Sequence, residues 1–179
     1  MKKVLIFLLA LVLVLGVTAC DKDKTEEYSS LYGFSTDPVV DRFAHDYTKG
    51  GDFAMDDLTP IAGGKSITAT LSGVTMTAYA DGDNLHFILE GGMATDTRDT
   101  LLKVFANLVE VTDTACTGED LDKATQHLKE QKKLIMGYKA GGHTTVETYS
   151  PAMKDGEVTT NYRLTFAVKG YGERLTNTV

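Results

Sequence analysis

Apolar residues fall along this chain in three rhythms, and each predicts a different element. The first is continuous. Val4 to Val17 is apolar throughout apart from Gly16. The second has the three- and four-residue spacing of a helix face. Asp37 can cap a helix and Pro38 suits its first position, where a missing N–H costs nothing. Val39, Val40, Phe43 and Tyr47 then form one stripe, which Gly50 and Gly51 end. Leu101, Leu102, Phe105, Leu108 and Val109 repeat that spacing. Another helix is expected from Thr117, with Asp120 completing a capping box and Cys116 and Leu121 placed as a hydrophobic staple. Leu121, Ala124 and Leu128 continue its buried face.

The third rhythm is alternation, the mark of a strand with one wet face. Ile67, Ala69 and Leu71 alternate, then Val74, Met76 and Ala78, then Leu85, Phe87 and Leu89. Threonine fills many of the positions between, which suits a solvated strand face. Gly73 is expected to make a bend or bulge, and "DGDN" at 81–84 a turn. Leu134, Met136 and Tyr138 alternate, "AGGH" at 140–143 turns the chain, "TTVETYS" supplies a partner strand, and "SPAMKDGE" reads as a loop. Tyr162, Leu164, Phe166 and Val168 form the last alternating set, with Asn161, Arg163, Thr165 and Ala167 facing the other way. The order is helix, hairpin, two helices, three strands, with no internal repeat in the sequence. Short connections favour antiparallel pairing. The expected class is α+β, a curved antiparallel sheet with helices packed on one face.

The continuous run is 14 residues long and follows Lys2 and Lys3. A membrane-spanning helix needs about 20 apolar residues, a signal-peptide core about 7–15. Length therefore favours a cleaved leader. The run ends in Val17, Thr18, Ala19 and Cys20. "VTAC" in that position resembles the lipobox of bacterial lipoproteins. The resemblance implies cleavage between Ala19 and Cys20 and a lipid on the Cys20 thiol, whose thiolate is the nucleophile. Two acyl chains hold a protein at a membrane where one does not, since each buried CH₂ contributes about 0.8 kcal/mol. The expected location is the cell membrane, lipid-anchored and facing outside the cytoplasm. Asp21 resembles an inner-membrane retention signal in Gram-negative enterobacteria and carries no such message in a Gram-positive cell.

The expected organisation is a signal peptide over 1–19, a lipidated cysteine and flexible tether over 20–36, and one α+β domain over 37–179. "DKDKTEEYSSLYGFSTD" mixes charge with Ser and Gly as a spacer does. Tyr28, Leu31, Tyr32 and Phe34 are unusually apolar for a spacer and either pack on the domain, the favoured reading, or bind something. The whole chain of 179 residues has a formal charge of −7, and without Lys2 and Lys3 it has 16 basic and 25 acidic residues, or −9. Such a surface repels nucleic acid and anionic lipid headgroups, and no compact basic stretch reverses it.

Little in the domain points to catalysis. His45, His86, His127 and His143 lie on different elements without metal-ligand spacing. Counted from Asp81, the calcium-loop positions 1, 3, 5 and 12 are Asp81, Asp83, Leu85 and Gly92, and two of these four fail as ligands. Cys116 has no base within reach along its own helix, since His127 lies about three turns away, and it reads as a small buried hydrophobe. With Cys20 lipidated, no internal disulfide is available. There is no G-x-S-x-G, S-x-x-K or P-loop, and "GGK" at 63–65 lacks phosphate-loop spacing. Asp56 with Asp57, and Glu119 with Asp120, are sequence neighbours whose side chains diverge. No enzyme, metal or cofactor is expected. The chain has no Trp, eight Tyr and seven Phe. Tyr138, Tyr149, Tyr162 and Tyr171 concentrate in the last strands, where they form either an exposed recognition face or ordinary amphipathic strand positions.

"VVDRFAHDYTKGG" resembles the first helix of small uncharacterised surface lipoproteins of Gram-positive bacteria. "LLKVFANLVEVTDTACTGEDLDKATQHL" resembles their paired helices. These motifs are structural, and the resemblance implies no catalytic residue. The function expected is non-enzymatic binding of an envelope protein or a small ligand through the sheet face. An accessory role in an envelope complex is the alternative, and a hydrolase with a dispersed site a weaker one.

Overall fold

The computed structural model describes residues 31–176 apart from 62, 93–96, 152, 155–156 and 159–160. The first helix, α1 (Pro38–Gly50), opens where Asp37 accepts hydrogen bonds from the Val39 and Val40 amides at 2.9 and 3.2 Å. It closes where the Gly51 N–H donates to the Tyr47 carbonyl. Strands β1 (Thr59–Pro60), β2 (Ser66–Leu71), β3 (Val74–Asp81) and β4 (Asn84–Gly91) follow, then α2 (Thr97–Thr112) and α3 (Gly118–Glu130). The chain finishes with β5 (Ile135–Gly141), β6 (Thr144–Ser150), β7 (Met153–Lys154), β8 (Glu157–Val158), β9 (Tyr162–Val168) and the short α4 (Tyr171–Thr176). Among these helices none is long and apolar enough to cross a membrane.

Seven strands form one open antiparallel sheet in the order β1-β2-β3-β4-β9-β6-β5. The α+β class with helices on one face is therefore what the chain adopts. The topology also holds a symmetry that the sequence conceals. A helix and a three-strand meander occur twice, as α1-β2-β3-β4 and as α3-β5-β6-β9. The two meanders meet back to back through β4 and β9, with Phe87 opposite Phe166 beside the middle of that ladder.

The core lies between the sheet and the helices. α2 crosses β3, β4 and β9, with α1 on one side and α3, over β5, on the other. The alternating residues predicted to point inward from β2, β3, β4 and β9 are all buried. Phe43, Phe87, Phe166 and Phe105 form a continuous aromatic chain from α1 through the two central strands to α2. The Thr117 hydroxyl accepts from the Asp120 amide at 3.2 Å and donates to the Asp120 carboxylate at 3.0 Å, one arm of the expected capping box, and Cys116 and Leu121 are both buried where a staple places them.

Four local expectations are corrected. Gly73 makes neither a bend nor a bulge within one strand; Ser72 and Gly73, at φ +50° and +81°, are the two-residue turn of a full hairpin between β2 and β3. The supposed loop "SPAMKDGE" contains a small ladder, Met153 opposite Val158 and Lys154 opposite Glu157. Leu134 and Met136 do not share a buried face with Tyr138. They are 61% and 70% exposed, while Ile135 and Tyr138 pack toward the helices. Gly137, at φ +67°, shifts the alternation of β5 by one place. The stretch 31–36, expected to belong to the tether, is held against the domain. The buried Asp41 carboxylate accepts the backbone N–H groups of Tyr32, Phe34 and Ser35 at 2.9, 2.8 and 3.1 Å. Phe34 packs on the core and the Tyr32 ring stacks on His45, while Leu31 is exposed; Tyr28 lies outside the described residues.

That clasp gives a local prediction. Asp41→Ala removes the acceptor of three amides and costs about 1–3 kcal/mol. Hydrogen exchange at Tyr32, Phe34 and Ser35 accelerates by at least tenfold, while exchange in β4 and β9 moves only with global stability. Unchanged exchange at those three amides would contradict the clasp.

A second prediction concerns alkaline pH. Tyr47 and Tyr149 are fully buried, and burial pushes each phenol up from 10.0 to about 12. Tyr171, also buried, is raised for the same reason. Below pH 10 these phenols are neutral in both folded and unfolded chains, and their contribution to stability is constant. Above it the unfolded chain releases protons that the folded one retains, so stability falls as pH rises from about 10 toward 12. Denaturant titrations between pH 8 and 11.5 read this as a slope growing toward about one proton per tyrosine, and Tyr149→Phe reduces the slope.

Candidate functional site

The sheet face turned away from the helices carries the candidate site. The ladder registers arrange it in rows. One runs Thr68, Thr77, Ile88, Thr165, Thr148, Met136 across six strands. A second runs Ser66, Tyr79, His86, Ala167, Thr145, Lys139. A third runs Thr70, Thr75, Glu90, Arg163, Ser150. The three long helices all pack on the opposite face. Threonine hydroxyls tie neighbouring strands together, Thr68 with Thr77 at 3.3 Å and Thr148 with Thr165 at 2.8 Å.

A β-bulge breaks the regularity. Between Val146 and Thr148 the register of β6 against β9 shifts by one, so Glu147 and Thr148 both turn to the open face. Glu147 thereby reaches the row of Tyr79 and His86. Its Oε1 lies 3.1 Å from His86 Nδ1, and the His86 ring is stacked on Tyr79 with centroids 5.0 Å apart. The His86–Glu147 approach is within ion-pair distance but lacks the alignment of a hydrogen bond. Both His86 ring nitrogens are buried without a hydrogen-bond partner among the described residues. A shallow hollow of about 450 Å³ opens beside this group, lined among others by Tyr79, Ile88, Leu134, Glu147, Arg163 and Thr165. The Arg163 guanidinium stands 3.6 Å from Glu90, an exposed and loose pair.

The tyrosines singled out in the sequence lie elsewhere. Tyr149, Tyr162 and Tyr171 are buried on the core side, and Tyr138 stacks on His127 of α3 at 4.4 Å. They are amphipathic strand and core residues, so the C-terminal strands present no tyrosine face. Tyr79, on β3, is the tyrosine of the open face among the described residues.

The four histidines are dispersed. His45 stacks on Tyr32 with its Nδ1 3.1 Å from Asp46, His127 covers Tyr138, and His143 occupies the β5–β6 turn. Among the described residues no three His, Cys, Asp or Glu side chains gather as a metal site. Cys116 is buried and free. Burial, then Asp113 and Asp120, pushes its thiol up to about 11, which keeps it protonated and unreactive at neutral pH. Ala19 and Cys20 lie outside the described residues.

A second hollow of about 380 Å³ lies between α2 and α3. It is an interhelical groove bridged by Lys129 and Asp99 at 3.1 Å. The fold is thus an α+β sandwich of one helical layer on one sheet, its other sheet face bearing a hollow of mixed lining. The chain matches no family model, no curated protein and no solved structure.

Proposed function

We propose that this protein is a lipid-anchored, extracytoplasmic binding module that works through its open sheet face and carries out no catalysis. The lipobox-like "VTAC" ending at Cys20 supports the anchor. The observation that carries the binding reading is the Tyr79–His86–Glu147 group, set by a bulge at the edge of a hollow on a sheet face that the long helices leave uncovered. Buried polar atoms without partners are rare in native folds and concentrate where something else completes them. Hollows of this size are also typical of ligand sites, about 300–1,000 Å³. The occupant is an envelope protein or a small ligand.

Two measurements test this reading. Cys20→Ala blocks acylation and moves the protein from the membrane to the soluble fraction; a processed, acylated mutant defeats the anchor. Thr77→Arg lays a long charged chain across the open face without entering the core. It lowers capture of the partner in crosslinked intact cells, or of the ligand in extracts, at least tenfold. Unaltered capture by a folded Thr77→Arg chain removes the open face from consideration.

A further inference from the structure

Glu147 and Arg163 line the same hollow with opposite charges, and they are not paired with each other. Among the described residues neither side chain makes a hydrogen bond. The nearest ring or charged groups are the His86 imidazole, 3.1 Å from Glu147, and Glu90, 3.6 Å from Arg163. Leu134, 61% exposed, and the half-buried Ile88 put apolar surface between and beside them. An anion, a cation and an apolar wall in one hollow describe a ligand that carries all three complements.

The two charges reach the hollow from neighbouring strands. Arg163 sits on β9 opposite Ser150, and Glu147 sits on β6 in the bulge between Val146 and Thr148.

We infer that the hollow is a binding site for a zwitterionic α-amino acid or short peptide with an apolar side chain. Glu147 receives the ammonium group, Arg163 the carboxylate, and Leu134 and Ile88 the side chain. Tyr79 forms the floor beside them. His86 acts as a positioning residue: a small rotation of Glu147 about its side-chain torsions gives the buried imidazole the hydrogen bond it lacks and fixes the carboxylate toward the ligand. The inference rests on the open face being a binding surface, and it names what that surface takes.

The test is calorimetric titration of the full chain in lipid nanodiscs. The probes are L-leucine, the dipeptide Leu-Leu, isopentylamine and 4-methylpentanoate. The last two each lack one of the charges. L-leucine or Leu-Leu binds with a Kd below about 1 mM, and whichever binds tighter identifies the free amino acid or the peptide as the source. Each single-charge probe binds at least tenfold more weakly. Glu147→Gln and Arg163→Gln each weaken the zwitterion at least tenfold, with thermal unfolding unchanged. Glu147→Gln leaves 4-methylpentanoate unaffected, which a general loss of structure does not. No binding of either zwitterion up to about 10 mM, or equal binding of the single-charge probes, overturns the inference. If that happens while Thr77→Arg still abolishes cellular capture, the open face remains a binding surface for another partner.

Discussion

Phe166→Ala is expected to destabilise the domain by about 3–5 kcal/mol, a large part of the about 5–15 kcal/mol that holds a typical domain folded. Phe166 is fully buried at the seam between the two meanders. Its ring stacks on Phe87 with centroids 4.7 Å apart and meets Phe105 edge-on at 4.9 Å. Phe87 in turn meets Phe43 edge-on at 4.9 Å. Removing Phe166 breaks the contact between the helical layer and the central ladder where both halves depend on it. Aromatic pairs of this geometry are worth about 0.5–1.5 kcal/mol each beyond their buried area. Urea unfolding reads the effect as a lower midpoint with little change of slope. Phe166→Leu keeps most of the volume and costs clearly less. A loss under about 1 kcal/mol for the alanine variant would mean that the seam can collapse around the cavity.

The seam was partly legible in the sequence. Phe87 and Phe166 each sit on the apolar parity of a cleanly alternating strand, and Phe43 and Phe105 on apolar helix stripes. Period alone assigned all four to the core. It did not say that β4 pairs with β9, because that contact joins residues about 80 positions apart and depends on which edges the two meanders expose. The same limit hid the pseudo-symmetry: the halves share topology and packing logic, with no residue-by-residue repeat.

The candidate site was legible in fragments. Tyr79 and His86 lie on the polar parity of β3 and β4, so their facing could be read from alternation, but their adjacency depends on strand register. Glu147 could not be placed that way. Strict alternation through "TTVETYS" assigns one face per residue, whereas the bulge puts both Glu147 and Thr148 on the open side. Gly137 on the neighbouring strand makes the matching shift in β5, and its glycine was the one local signal available. The C-terminal tyrosines take the second of the two readings open to them, as amphipathic strand and core residues. They occupy apolar-parity positions, and their size and polar tip suit a core edge as well as a surface.

Gly142→Ala is expected to be the more severe of two outwardly similar glycine substitutions, with a loss of about 3 kcal/mol or more. Gly142 has φ +48° in the turn between β5 and β6, and a Cβ there would lie 2.5 Å from the Cys116 backbone nitrogen and 2.7 Å from the Ala115 carbonyl carbon. Those atoms belong to the link between α2 and α3, which has its own reason to stay in place. The buried Asp113 carboxylate accepts the His143 N–H and the Thr144 hydroxyl through one oxygen, each at 2.7 Å, and the Cys116 N–H donates to the Asp113 carbonyl. The turn cannot retreat without leaving that carboxylate and its donors unpaired, at about 1–3 kcal/mol for each buried group. Gly82→Ala supplies the comparison. Gly82 has φ +57° in the β3–β4 turn, and a Cβ there meets nothing within 4 Å. It bears only the cost of the left-handed conformation, about 1–2 kcal/mol. The difference between the two variants in urea unfolding therefore isolates the close approach of turn to link. Equal losses would show that the turn moves aside freely. A larger loss at Gly142 that shrinks when Asp113 is also changed to Ala would show that the clash and the buried carboxylate act through the same contact.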